Sequence, residues 1–193
     1  MRSGLVKCRG SAVRTMDWLK DVLRQYAGAP GGGSVALGQD PSVVERDFDQ
    51  VARVAPRDDL SDGLAAAFRS EQTPPFPEML GSLFGRSPGP QRAGILQTLA
   101  SALGPSVLAQ ILGKRGLGGV LRDGQAEQIN PEVAARIPPE AVTEAAQQAE
   151  KKDPSIIDRL SRVYAEQPQL IKTLGAAALA IAMTRVAQRK GTL

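Results

Sequence analysis

The chain of 193 residues contains no histidine. That absence removes the commonest general base, the commonest metal ligand and the side chain that titrates near neutral pH. There is one cysteine, Cys8. Neither an intramolecular disulfide framework nor a cysteine-based metal site can be built from it. Aromatic residues make up only 4% of the chain. A core must then come from Leu, Ile, Val and Ala, which favours packed helices over a β-sandwich. Long apolar runs are missing too. The apolar stretch Leu174 to Met183 lies within the 12 residues between Lys172 and Arg185. A bilayer core needs about 20, so no ordinary membrane span is expected.

Catalytic and ligand-binding motifs are equally scarce. Gly31-Gly32-Gly33-Ser34 lacks the lysine and the strand–helix context of a phosphate loop. The Gly-x-Ser-x-Gly pattern occurs at Gly85-Arg86-Ser87-Pro88-Gly89, but a chain without histidine lacks the base that such a nucleophile elbow works with. Asp47, Asp49, Asp58, Asp59 and Asp62 lack the fixed spacing of a calcium-binding loop. The region 40–74, with eight acids against four bases, therefore reads as a solvated acidic face. Glu45, Asp47, Asp49, Glu78, Glu140 and Glu144 fall where helix surfaces and first-turn acids are expected. No catalytic residue, cofactor or metal is predicted, and the chain is not expected to be an enzyme.

A formal charge of +4 raises the question of nucleic acid. Residues 1–15 carry Arg2, Lys7, Arg9 and Arg14 and no acid; without these four, 20 of the 24 basic residues remain, against 20 acidic ones. The rest of the chain thus lacks the basic excess that a phosphate-binding surface needs. The segment 1–15 also lacks the apolar core of a secretory signal. We expect it to be a disordered extension, or to precede the true start at Met16.

What is present is a series of capped, proline-started helices. A total of 42% hydrophobic and 23% charged residues fits a globular chain. Residues 16–26 form an amphipathic helix with Trp18, Leu19, Val22, Leu23 and Tyr26 on one side. The Gly-rich segment 27–39 reads as a flexible tether. A helical domain then covers 40–190. Ser42 with Glu45 matches a capping box. Short helices are expected near 78–86, 90–103, 105–114 and 117–122, with Gly104 and Gly113 at their ends. Asn130 and Pro138-Pro139 open two more. The second of these presents Ala141, Val142, Ala145 and Ala149, a weakly apolar face expected at the periphery.

The C-terminal pair gives the clearest pattern. Asp153 is the expected N-cap, with Pro154 in the first turn. Ile156, Ile157, Leu160, Val163 and Tyr164 recur at spacings of three and four, one apolar stripe. Asp158 and Arg162 form an expected i,i+4 pair. Pro168 then starts a helix running to 189, rich in small residues from Gly175 to Ala182. Such a helix is buried on all sides, or it pairs closely with another helix.

Overall, an all-α fold is expected: an irregular bundle of short helices around a C-terminal apolar helix, with a tethered N-terminal helix. The function expected is that of a non-enzymatic interaction or scaffold protein that binds a protein partner or self-associates. Its candidate contact residues are Trp18, Leu19, Val22, Leu174, Gly175, Ala178, Ile181 and Ala182. The alternative is a peripheral membrane protein that uses 16–26 and 168–189, with Arg185, Arg189 and Lys190 against anionic headgroups. The expected place is the cytoplasm, or the inner face of the inner membrane. Nucleic acid is not an expected partner.

The stretches MDWLKDVL, LASALG, LAQILG and INPEVAARIPPEAVTEAAQQAEKKDP, with the glycine tether, carry one resemblance. The layout over 16–150 resembles Ala/Gly/Leu-rich helical bacterial proteins of unknown function, the group that includes the YidB-like proteins. This likeness implies a bacterial origin and a helical fold. It brings no catalytic motif and no activity.

Overall fold

Proline decides where most of these helices begin. A computed structural model describes residues 21–22, 24–26, 40–114, 116–117 and 129–191. Its helices are α1 (Pro41–Val54), α2 (Arg57–Phe68), α3 (Phe76–Arg86), α4 (Gly89–Leu103), α5 (Pro105–Gly113), α6 (Pro131–Ala135), α7 (Pro139–Lys152), α8 (Ile156–Ala165), α9 (Pro168–Ile171) and α10 (Ala176–Gly191). A 3-10 turn, Lys172–Leu174, joins α9 to α10. Seven of the ten have proline in their first two positions, where its missing N–H leaves no bond unmade. There is no strand among the described residues, so the all-α class stands. The expected helix at 117–122 falls outside them, apart from Leu117, which is not helical.

α10 is the helix about which the others are arranged. Leu179, Ala180 and Met183 are fully buried, and Ala178, Ala182, Val186 and Ala187 nearly so. It packs along α2 and, less extensively, along α1. The other side of α2 meets α8, and α8 in turn meets α4. α3 and α4 pack on α7, while α6 closes against α4. A T-shaped ring pair, Phe68 with Phe76 at 5.2 Å and 72°, joins the ends of α2 and α3.

Two helix crossings depend on glycine. A Cβ on Gly63 would stand 2.6 Å from the carbonyl oxygen of Ala182. The backbones of α2 and α10 therefore approach at a point where neither carries a bulky side chain. A Cβ on Gly81 would collide with Oγ1 of Thr143, which brings α3 against α7 in the same manner.

Several local expectations are corrected. The C-terminal helix is not continuous over 168–189. It breaks at Gly175, whose φ of +89° lies in the left-handed region that glycine adopts at little cost. α7 is central rather than peripheral: Ala141, Val142, Ala145 and Ala149 have no exposed surface. Their smallness is what lets α3 and α4 approach. The cap of α1 is Asp40, which accepts from the Ser42 N–H at 2.9 Å, so Ser42 is already inside the helix. Asp153 accepts from the N–H of Ser155 in a turn that precedes α8, instead of capping it directly. Asp158 takes its ion pair from Arg69 of α2 instead of Arg162.

Arginines finish several helix ends, Arg92 from a half-buried position and Arg57 from an exposed one. Arg92 donates to the carbonyls of Gly85 at 2.6 Å, Ser87 at 2.9 Å and Ala135 at 3.2 Å. Its guanidinium also lies 5.1 Å from the centre of the Phe84 ring. Arg57 donates to the carbonyl of Ala165 at 2.6 Å. These are terminal carbonyls left without partners inside their own helices.

Candidate interaction groove

α2 and α10 cross closely at Gly63 and then diverge, and α8 borders the gap. The result is an open groove of about 540 Å³. Its apolar lining is Ala65, Ala66 and Ile181. Ala67, Ala178 and Ile181 form a small apolar cluster separate from the main core, with Ala66 and Leu174 packed against it. Charged side chains rim the groove: Asp62 and Arg69 from α2, Asp158 from α8, Arg185 from α10.

Most of these charges are already matched. Arg69 donates to both carboxylate oxygens of Asp158, at 2.8 and 2.7 Å. That fork-to-fork geometry holds the Asp158 carboxyl below the ordinary aspartate range and raises Arg69 further. Arg189 pairs with Asp62 and lies 3.6 Å from Asp59. Arg185 differs. It is exposed, and its guanidinium makes one 3.4 Å contact, with Gln188 on its own helix. Among the described residues no carboxylate is within ion-pair distance of it.

A second junction fastens the N-terminal segment. Residues 21–22 and 24–26 are helical, and Tyr26 is fully buried. The Tyr26 hydroxyl donates to Asp47 of α1 at 2.9 Å. The Thr184 hydroxyl of α10 donates to the Tyr26 carbonyl at 3.2 Å, and also to the carbonyl of Ala180. Burial, followed by the Asp47 hydrogen bond and charge, raises the Tyr26 pKa. Asp49 receives Lys172 at 2.8 Å. Acids that read as a solvated face thus tie α1 and α2 to Tyr26, Lys172 and Arg189.

Comparison with protein-family models, curated proteins and solved structures finds no match.

The candidate contact residues are distributed unevenly. Trp18 and Leu19 lie outside the described residues. Val22 is half-buried and packs on the main core. Leu174 is half-buried in the 3-10 turn, and Gly175 forms the break. Ala178, Ile181 and Ala182 are buried among neighbouring helices. Ala182 serves the α2 crossing, and Ile181 alone of the eight lines the groove. Ala65, Ala66 and Arg69 are groove residues that sequence reasoning missed, and Arg185 was singled out there for anionic headgroups rather than for a groove. Three helices distant in sequence supply the lining, and no local pattern marks it.

Among the described residues no single helix is long and apolar enough to cross a membrane. α4 and α5 together reach the required length and composition, but they meet at 115°. Their large apolar side chains, among them Ile95, Leu99 and Leu108, are buried in the bundle.

Proposed function

We propose that this protein is a non-enzymatic interaction module that docks a segment of a protein partner in the α2–α10 groove. The observation that carries this reading is the pairing of Ile181 with Arg185. An apolar patch that ends a satellite cluster lies beside a guanidinium without a carboxylate partner. The segment that fits has an apolar side chain for Ala65, Ala66 and Ile181 and an adjacent Asp or Glu for Arg185. Desolvated anchors of this kind dominate binding energy, while the charged rim sets orientation. A volume near 540 Å³ lies within the range of roughly 300–1,000 Å³ typical of binding clefts.

Groove chemistry favours binding over catalysis. Asp62 and Asp158 are both held in ion pairs. Asp158 is kept ionised, which makes it a poor proton donor.

The test is quantitative capture with purified protein against two groove variants, Arg185→Glu and Ala66→Arg. Both positions have access to solvent, so folding should survive, as circular dichroism would verify. The expected result is one protein species retained in defined stoichiometry by the wild type and lost by both variants. Equal retention by all three proteins would contradict the assignment. Sedimentation velocity separates a second copy of the chain from a different partner.

A further inference from the structure

A second groove, of about 370 Å³, opens between α4 and α8 on the far side of α8 from the first. Its walls are Gly94, Gln97, Thr98 and Ser101 from α4, with Arg159 and Arg162 from α8. Gln91, Gly94, Thr98 and Ser101 follow one another at spacings of three, four and three. They therefore form one stripe along α4. Where a buried helix–helix seam is ordinarily apolar, this stripe is polar or small.

The inner part of the seam is unsatisfied. Gln91 is 7% exposed, and neither its amide nitrogen nor its carbonyl oxygen has a hydrogen-bond partner. Ser161 of α8 is fully buried, and its hydroxyl is also without a partner. So is the buried Nε of Arg159, whose other end binds Asp153. Buried polar groups are almost always paired, and orphans concentrated on two facing helices call for an explanation.

The outer part of the seam specifies a ligand. Arg159 and Arg162 are three apart on α8, so their guanidiniums serve the same side. The Thr98 hydroxyl donates to the carbonyl of Gly94 at 2.8 Å, and that of Ser101 to Gln97 at 2.9 Å. With their protons committed, these two oxygens offer only lone pairs to the groove. The Gln97 amide can serve as either donor or acceptor. Space is available beside Gly94, where an added Cβ would meet nothing within 4 Å.

We propose that the α4–α8 groove binds a small hydroxylated phosphate monoester. The phosphate lies against Arg162 and the remaining edge of Arg159, whose Nη2 stays on Asp153, and the hydroxyls of the ester donate to Thr98 and Ser101. The exposed Arg162 supplies the cation for the phosphate, and the unpaired guanidinium edge of Arg159 adds a hydrogen-bond donor beside it. The committed protons of the opposite wall select for hydroxyls over a second anion.

Amide chemical-shift titration of the whole chain tests this with three probes: glycerol 3-phosphate, inorganic phosphate and glycerol. Glycerol 3-phosphate should shift amides in 94–101 and 159–162 in a saturable manner. Inorganic phosphate should bind the same residues about tenfold more weakly, the difference expected of one lost hydrogen-bonding set. Glycerol should shift none. Arg162→Glu, at an exposed position, should weaken glycerol 3-phosphate by about tenfold or more. Gly94→Leu, which fills the open space, should abolish the shifts while the rest of the spectrum is retained. Three results would each overturn the proposal: no shifts up to about 20 mM glycerol 3-phosphate, well above millimolar affinity; equal affinity for phosphate and its ester; or unchanged affinity in both variants.

Discussion

Replacing Gly63 by alanine should destabilise the protein, whereas the same change at Gly94 should stabilise it. Both glycines lie inside helices, and both forgo about 1 kcal/mol of helix propensity relative to alanine. At Gly94 the new Cβ meets no atom within 4 Å. A gain of about 0.5–1 kcal/mol should appear almost whole. At Gly63 the Cβ would lie 2.6 Å from the Ala182 oxygen and 3.2 Å from its C and Cα atoms. These atoms are backbone, so no side chain can rotate away. α2 and α10 must separate, and α10 carries Leu179 and Met183 with no exposure. Overpacking costs of about 1–3 kcal/mol are usual, and a backbone collision belongs at the upper end. Net of propensity, Gly63→Ala should cost about 2 kcal/mol, which for this size corresponds to roughly 4–8 °C in Tm. Urea unfolding followed by far-UV circular dichroism would measure both variants. If Gly63→Ala were as stable as the wild type, the close α2–α10 crossing would be wrong.

Arg92→Ala should cost about 2–3 kcal/mol, because three helix-end carbonyls lose a charged donor together; Arg92→Lys should recover less than half, as one ammonium cannot reproduce the fork. Thermal melts of the two variants would show whether this ordering holds. Tyr26→Phe should cost about 1 kcal/mol through loss of the Asp47 bond, and Tyr26→Ala about 3 kcal/mol or more through the cavity. Limited proteolysis should cut the alanine variant near 26 faster than the phenylalanine one. Asp158 contributes stability that is complete above the ordinary aspartate pKa of about 3.9 and is lost as pH falls through its lowered folded value. Both partners are nearly half exposed, so Asp158→Asn should cost no more than about 1 kcal/mol at neutral pH. Urea midpoints of the two proteins should converge only once the pH has fallen below the lowered Asp158 value; a gap that persisted there would assign the effect to packing.

The features legible in the sequence were those set by neighbours along the chain. Proline at 41, 131, 139 and 168 marked helix starts, because its effect acts within its own turn. The apolar stripe from Ile156 to Tyr164 marked α8. What escaped depended on contacts between distant elements. Small residues in α7 gave a weak signal, yet they are buried because Gly81 allows α3 to approach. Gly175 read as one more small residue in a helix, and only the turn from α9 into α10 requires its positive φ. Arg162 was the nearer partner of Asp158 by sequence, but Arg69 reaches it with both nitrogens from another helix. Of the groove, Ile181 and Arg185 were singled out, on apolarity and on charge rather than on position.

Photo-crosslinking in cells at position 188 tests the proposed groove most directly, because it leaves Arg185 in place. A photoreactive residue there faces the groove, and one at Glu140, exposed on α7, serves as the control. The groove position should yield a discrete adduct with one protein species, absent from the control and lost when Ala66→Arg is introduced. Adducts of equal yield at both positions, or an adduct indifferent to Ala66→Arg, would contradict docking between α2 and α10.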